Sequence, residues 1–171
     1  IDTHMPRLEN DLATSPYQYH YKGKNYTFSS VEDFCKFLKL DPTDDGNIGY
    51  SACLIQTMIN NNYFVKNRVP NATKFLNVVQ GRNLSESNMW YEHVKDYDFE
   101  GWALASHHKE NFVMAMTRFV DMYHDGLLQD KNWVHMLGVG KLANGCAYTT
   151  MQRAIRENIN PNLTISYDVS S

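Results

Sequence analysis

No stretch of this sequence approaches the ~18 consecutive apolar residues that a membrane-spanning helix requires, so the chain reads as having no membrane segment. No secretory leader pattern is visible either. Cysteine is scarce: Cys35, Cys53 and Cys146 are scattered, odd in number and without a CxxC pair. That argues against a disulfide framework or a zinc cluster within the chain, and for an intracellular, cytoplasmic home (host cytoplasm if the source is viral). The Asn71-Ala72-Thr73 triplet then reads as chance rather than a glycosylation site. Basic charge is also lacking. Sixteen Lys and Arg stand against 19 Asp and Glu, for a net charge of −3. No global basic footprint for nucleic acid exists, so any such surface is local or supplied elsewhere. What remains, 171 residues with 43% hydrophobic and 20% charged, suits one domain able to bury a sizeable core.

Four short apolar runs break into polar or glycine tips, at intervals of roughly thirty residues, the size of a βα unit. Phe75-Leu76-Asn77-Val78-Val79 enters Gln80-Gly81, and Gly101-Trp102-Ala103-Leu104-Ala105 enters Ser106-His107. Val134-His135-Met136-Leu137 enters Gly138-Val139-Gly140, and Leu163-Thr164-Ile165-Ser166-Tyr167 enters Asp168. Helical periodicity fills the intervals, which predicts an α/β fold of parallel strands. The C-terminal strand ends of such a sheet share one face, where ligands bind. Gln80, Ser106, the Gly138 turn and Asp168 should therefore surround one mouth.

The spacing predicts strands over 74–79, 99–105, 133–138 and 163–168, with a further strand tip at 1–6 ended by Pro6. Residues 7–49 read as an inserted loop region within a single domain. In it, Tyr19, Tyr21 and Tyr26 flank a turn at 22–25 and suggest a small hairpin. Ser29 or Ser30 caps a helix running to Leu40, and Asp44 to Asn47 make a turn. A stripe of Leu54, Ile55, Met58, Ile59 and Phe64 predicts a helix over 50–66. Ser85 or Ser87 caps a helix over 85–96. A longer one over 109–125 shows Phe112, Met116, Phe119, Val120 and Tyr123 on one face, and another covers 145–158. Five strand ends are too few for an eight-stranded barrel, so the missing strands would come from residues outside this chain.

Asp168, a lone carboxylate at a strand end, suits covalent or acid–base chemistry; the bland alternative is a helix cap. Asp2 has the same geometry and the same alternative of a plain loop residue. Gln80 offers a donor and an acceptor, as reading a nucleobase edge requires, although strands commonly end in a polar residue and a glycine. Gly138-Val139-Gly140 fits a phosphate-cradling turn or simply a close backbone approach. His107-His108 looks like a metal pair, but neighbours in a strand point to opposite faces, so no metal site is expected. Met114, Met116 and Met122 read as helix packing.

Taken in order, these tips resemble the tRNA-guanine transglycosylase family. Ile1-Asp2-Thr3-His4-Met5-Pro6 has the aspartate-to-proline spacing of the family's FDExxP tip, and Asn77 to Arg82 is similar to GIVQGG. Asp98 to Ser106 resembles dFdGyAIGG, Met136 to Gly140 resembles LMGVG, and Tyr167-Asp168-Val169 resembles the start of FDCVxPTR. The resemblance covers nearly the whole chain and implies a (β/α)8 TIM-type barrel that exchanges guanine in a polynucleotide for a 7-deazaguanine base. It makes Asp168 the nucleophile on C1′ of the target nucleotide. Asp2 and Gln80 would read the purine edge, and Gly81 would let the base approach the backbone. Ala105, Ser106 and His107 would contact the base, with Leu137 and Gly138 packing on its face. The implied partners are DNA or tRNA, the 7-deazaguanine base, and a second copy or second chain that completes the barrel.

The departures also inform. The family's double glycine is Ala105-Ser106, and its LxVGE stretch is His107-His108-Lys109-Glu110-Asn111. Its zinc cysteines would lie beyond Ser171, so zinc would come only from residues outside this chain, and the upstream DSGG strand with a second catalytic aspartate is absent. These changes resemble relatives that place 7-deazaguanines into DNA, so DNA is favoured over tRNA. Two other readings stay open: a non-catalytic accessory subunit of such a transglycosylase, and a barrel hydrolase using Asp2 and Asp168 on a glycoside.

Overall fold

A computed structural model of the chain describes residues 17–21, 24–70 and 72–168. The expected strand tip at 1–6, with Asp2, and the hairpin turn at Lys22 and Gly23 lie outside the described residues. The chain divides into two units, Ile1–Phe64 and Val65–Ser171, and the segment 7–49 falls within the first.

In the first unit the expected hairpin is present. Strand β1 (Tyr17–Tyr21) pairs antiparallel with β2 (Lys24–Phe28), Tyr19 opposite Tyr26. Helix α1 (Val31–Phe37) starts at Ser30, whose hydroxyl accepts the Asp33 N–H at 3.1 Å, while Glu32 and Asp33 meet the positive end of the helix dipole. Its rings pack on the hairpin, with Phe28–Phe34 centroids 5.1 Å apart and Tyr26–Phe37 4.8 Å. Helix α2 (Asp45–Asn67) begins earlier than its apolar stripe predicts. The expected turn at Asp44 to Asn47 is its first turn: the Asp44 carboxylate accepts the Gly46 N–H and its carbonyl the Ile48 N–H. Leu54, Ile55 and Met58 are buried as expected, but Ile59 and Phe64 are exposed.

The second unit is an α/β layer. Strands β3 (Leu76–Val79), β4 (Gly101–Leu104), β5 (Trp133–Met136) and β6 (Thr164–Tyr167) form one parallel sheet in sequence order. Helices α3 (Leu84–Val94), α4 (Phe112–His124) and α5 (Leu142–Asn158) make the crossovers. Crossovers between parallel strands are right-handed, so three successive steps in one direction lay all three helices on the same face. That face carries Asn77, Val79, Trp102, Leu104, Val134, Met136 and Ile165, all buried. The opposite face carries Val78, Ala103, His135 and Ser166, aligned by the strand register.

Helix α5 starts three residues earlier than expected, at Leu142, and three further helix details differ from expectation. Helix α3 is capped by Asn83, which accepts the Glu86 N–H at 2.9 Å, not by Ser85 or Ser87; Ser87 is instead fully buried. Helix α4 starts at Phe112 behind an Asn111 cap, because Ser106–Lys109 form a 3-10 turn. Its buried face is Met114, Ala115, Arg118, Phe119 and Met122, leaving Val120 and Tyr123 exposed. The reason is Arg118, a charge that breaks the apolar pattern yet is buried. It pairs with Asp121 at 2.5 Å and lies over the Tyr91 ring, 5.0 Å from the centroid.

Candidate active site at the strand tips

Register sets the geometry. Val79, Leu104, Met136 and Tyr167 lie in one row across the four strands. The next residue on each strand is Gln80, Ala105, Leu137 and Asp168. Ladder bonds continue one step further, from Ala105 N–H to Val79 O and from Leu137 N–H to Leu104 O, both 3.0 Å. Gln80 and Asp168 therefore stand at one level of the C-terminal edge with Ala105 and Leu137, and the expected Ser106 and Gly138 each follow one residue on. Asp2 lies outside the described residues.

Each tip turns for a physical reason. A Cβ on Gly81 would lie 2.6 Å from the Ser87 backbone nitrogen. Glycine thus lets the start of α3 close onto β3, a use that sequence reasoning assigned to a bound base. Ser106 holds φ at +59°, a left-handed conformation that costs a residue with a Cβ about 1 kcal/mol or more. It stands where the resembling family has a glycine. Gly138, at φ +75°, aims its N–H at Asp168 Oδ1, 2.6 Å away. Ala105, Ser106, Leu137 and Gly138 are half-buried and His107 is exposed.

The expectation that His107 and His108 sit on opposite strand faces fails, since both belong to the 3-10 turn. His108 is fully buried and braces the β4 tip. Its Nδ1 lies 2.6 Å from the Ala105 carbonyl and its Nε2 2.8 Å from Ser87 Oγ. A carbonyl only accepts, so Nδ1 carries the proton and Nε2 receives the serine's. Burial pushes His108 down to about 4, against the opposing effect of the Ala105 hydrogen bond. An unfolded chain takes up this proton near pH 6.5, so the stability from His108 is complete above that pH. It falls by about 3 kcal/mol as the pH drops to about 4. His108→Gln is expected to flatten that dependence, read as urea midpoints at pH 7 and pH 4.5. An unchanged slope would place the acid sensitivity elsewhere.

Asp168 is half-exposed, and its carboxylate caps the Gly138 N–H rather than standing idle. That hydrogen bond, with the nearby His135 ring, holds its carboxyl below the ordinary carboxylate range, so it is an anion at neutral pH. Sequence reasoning missed the surrounding residues. His135 Nε2 is 3.8 Å from Asp168 Oδ1, and its Nδ1 is 2.7 Å from Ser166 Oγ. Ser166 Oγ also accepts the Trp133 indole N–H at 2.6 Å. The signal was present in the strand period of two. Positions two before Leu137 and two before Asp168 share the face of those tips.

A cleft of about 540 Å³ opens at the other end of the sheet, lined by the strand starts and by charged residues including Arg68, Lys131, Asp98 and Glu100. Its charges largely satisfy one another, Arg68 pairing with Glu100 and Lys131 with Asp98, each at 2.9 Å. Those pairs tie the strand starts together, whereas the polar groups at the tips face outward from parallel strand ends, where α/β chemistry gathers. Among the described residues no group of three or more His, Cys, Asp or Glu side chains is placed to hold a metal ion. No described helix is long and apolar enough to cross a membrane.

The fold and tips define an α/β protein with a four-stranded parallel sheet and a carboxylate at its C-terminal edge. No family model, curated protein or solved structure matches the chain.

Proposed function

We propose that this chain is a base-exchanging transglycosylase, similar to the tRNA-guanine transglycosylases, that replaces guanine in nucleic acid with a 7-deazaguanine base. The observation that carries the reading is the alignment of Gln80, Ala105, Leu137 and Asp168 at one level of the sheet, with Asp168 ionised and accessible. The one-sided helix layer also suits the wall of a (β/α)8 barrel, whose remaining strands a second copy or second chain would add.

The chemistry balances without an oxidant or reductant. The target nucleotide leaves its stack. A carboxylate oxygen of Asp168 bonds to C1′ as the bond from C1′ to guanine N9 breaks, and guanine leaves with the bonding pair and takes a proton from solvent, to which the incoming base returns one in the second step. The 7-deazaguanine base then gives up its N9 proton, attacks C1′ and frees the aspartate. Both steps pass through an oxocarbenium-like state that a nearby anion stabilises. Gln80 presents a donor and an acceptor to the purine edge, joined on the resemblance by Asp2, while Leu137 offers an apolar plane. Ala105-Ser106-His107 border the 7-position, and their departure from the family pattern favours DNA over tRNA.

Incubation with radiolabelled guanine and either DNA or tRNA tests the reading. Label entering DNA is expected. Label entering tRNA alone would move the substrate to tRNA, and label in neither, from folded protein, would favour the accessory-subunit reading.

A further inference from the structure

His135 is the one histidine that faces Asp168 among the described residues, and a chain of hydrogen bonds fixes its ring. An indole N–H can only donate, so Ser166 Oγ spends a lone pair on Trp133. The Ser166 hydroxyl keeps its own proton free, and the tautomer assigned to the ring is the one in which it donates that proton to His135 Nδ1. In a neutral imidazole this leaves the remaining proton on Nε2, the nitrogen that faces Asp168 Oδ1. Trp133 and His135 lie on β5 and Ser166 on β6, with Asp168 the residue after β6, at alternate positions of one sheet face. At 3.8 Å the contact is longer than a hydrogen bond, and such contacts commonly tighten only when substrate arrives.

We infer that His135 is a positioning residue for Asp168: the Gly138 N–H binds Oδ1 and His135 faces the same oxygen, so that Oδ2 is the oxygen left free to attack. The orientation of the carboxylate follows from this geometry alone, and only the attack rests on the transglycosylase reading. Both groups are donors, the Gly138 N–H bonded to Oδ1 at 2.6 Å and the imidazole facing it at 3.8 Å. A carboxylate pinned at one oxygen has its other lone pairs aimed in a fixed direction, which is the condition for an in-line approach to C1′. Asp168 is also the charged group facing the His135 ring among the described residues, the other groups in contact with the ring being the neutral Ser166 and Trp133.

Two variants and two readouts test this on the whole protein. His135→Leu removes the donor and keeps bulk, while His135→Gln returns an amide N–H at similar reach. The titration of the Asp168 carboxyl carbon, followed by NMR, is expected to shift upward in His135→Leu and to return toward wild type in His135→Gln. With DNA at saturation, the rate of covalent attack is expected to fall about 10- to 100-fold in His135→Leu, with unchanged Kd, and to recover in His135→Gln. Identical Asp168 titration in wild type and His135→Leu would overturn the inference, as would a glutamine variant no better than leucine. If wild-type protein attacks no nucleic acid, the transglycosylase reading fails, and the titration still decides the role of His135.

Discussion

Asp168→Ala is expected to abolish base exchange, by about 10⁴-fold or more, while the protein remains folded. On the proposed transglycosylase reading, loss of the nucleophilic carboxylate removes the covalent route altogether rather than weakening one contact among several. Stability should barely respond. The side chain is half-exposed at a strand end, and its removal frees one N–H, that of Gly138, which solvent can satisfy. Asp168→Asn sharpens the comparison. Its amide oxygen still accepts from Gly138, so Tm should match wild type, yet an amide is too poor a nucleophile to take C1′. Exchange assays paired with thermal melts check both variants. Activity in either variant would remove Asp168 from the chemistry. A large drop in Tm for the alanine variant would show that the carboxylate holds the strand tips together.

Gly101→Ala is expected to be the most damaging single methyl in the sheet. A Cβ there would stand 2.1 Å from the Trp133 carbonyl oxygen and 2.8 Å from Leu76 Cδ2. The leucine tip can turn away, but the carbonyl belongs to the neighbouring strand, where Gly101 pairs with Trp133. Relief therefore requires β4 and β5 to separate at that rung, which costs about 3 kcal/mol or more, at the upper end of overpacking penalties. For a unit of this size that lowers Tm by on the order of 10 °C. The Trp133 indole would move with its backbone and loosen its bond to Ser166, so exchange should fall even below Tm. Thermal melts by circular dichroism measure the first effect. A Tm within about 2 °C of wild type would show that the rung yields more easily than its geometry implies.

Much of the second unit was legible because a parallel strand leaves a local trace. Each apolar run, such as Val78-Val79 or Ala103-Leu104, ends abruptly in a polar residue or glycine, and the crossover helices space these ends evenly. What was illegible depends on partners distant in sequence. Arg118 reads as a polar position on α4 and is buried only because Tyr91, Asn88 and Asp121 receive it. Two serines near the start of α3, Ser85 and Ser87, offered themselves as caps, and the helix took Asn83, leaving Ser87 to meet His108 across 21 positions of sequence. At the site, the tips were visible because they interrupt apolar runs. His135 and Ser166 lie inside such runs, where a polar residue on the second face of a strand looks like ordinary alternation. Their meaning appears only once β5 and β6 are placed in register.

The most direct measurement is covalent trapping. The protein is incubated with guanine-containing DNA, separately with tRNA, and run on a denaturing gel, and any shifted band is digested and sequenced by mass spectrometry. A band with DNA, carrying the nucleotide on the peptide that contains Asp168, is the expected result. A band whose nucleotide sits on another residue, or no band with either nucleic acid from folded protein, would contradict the assignment of Asp168 as the nucleophile of a base-exchanging enzyme.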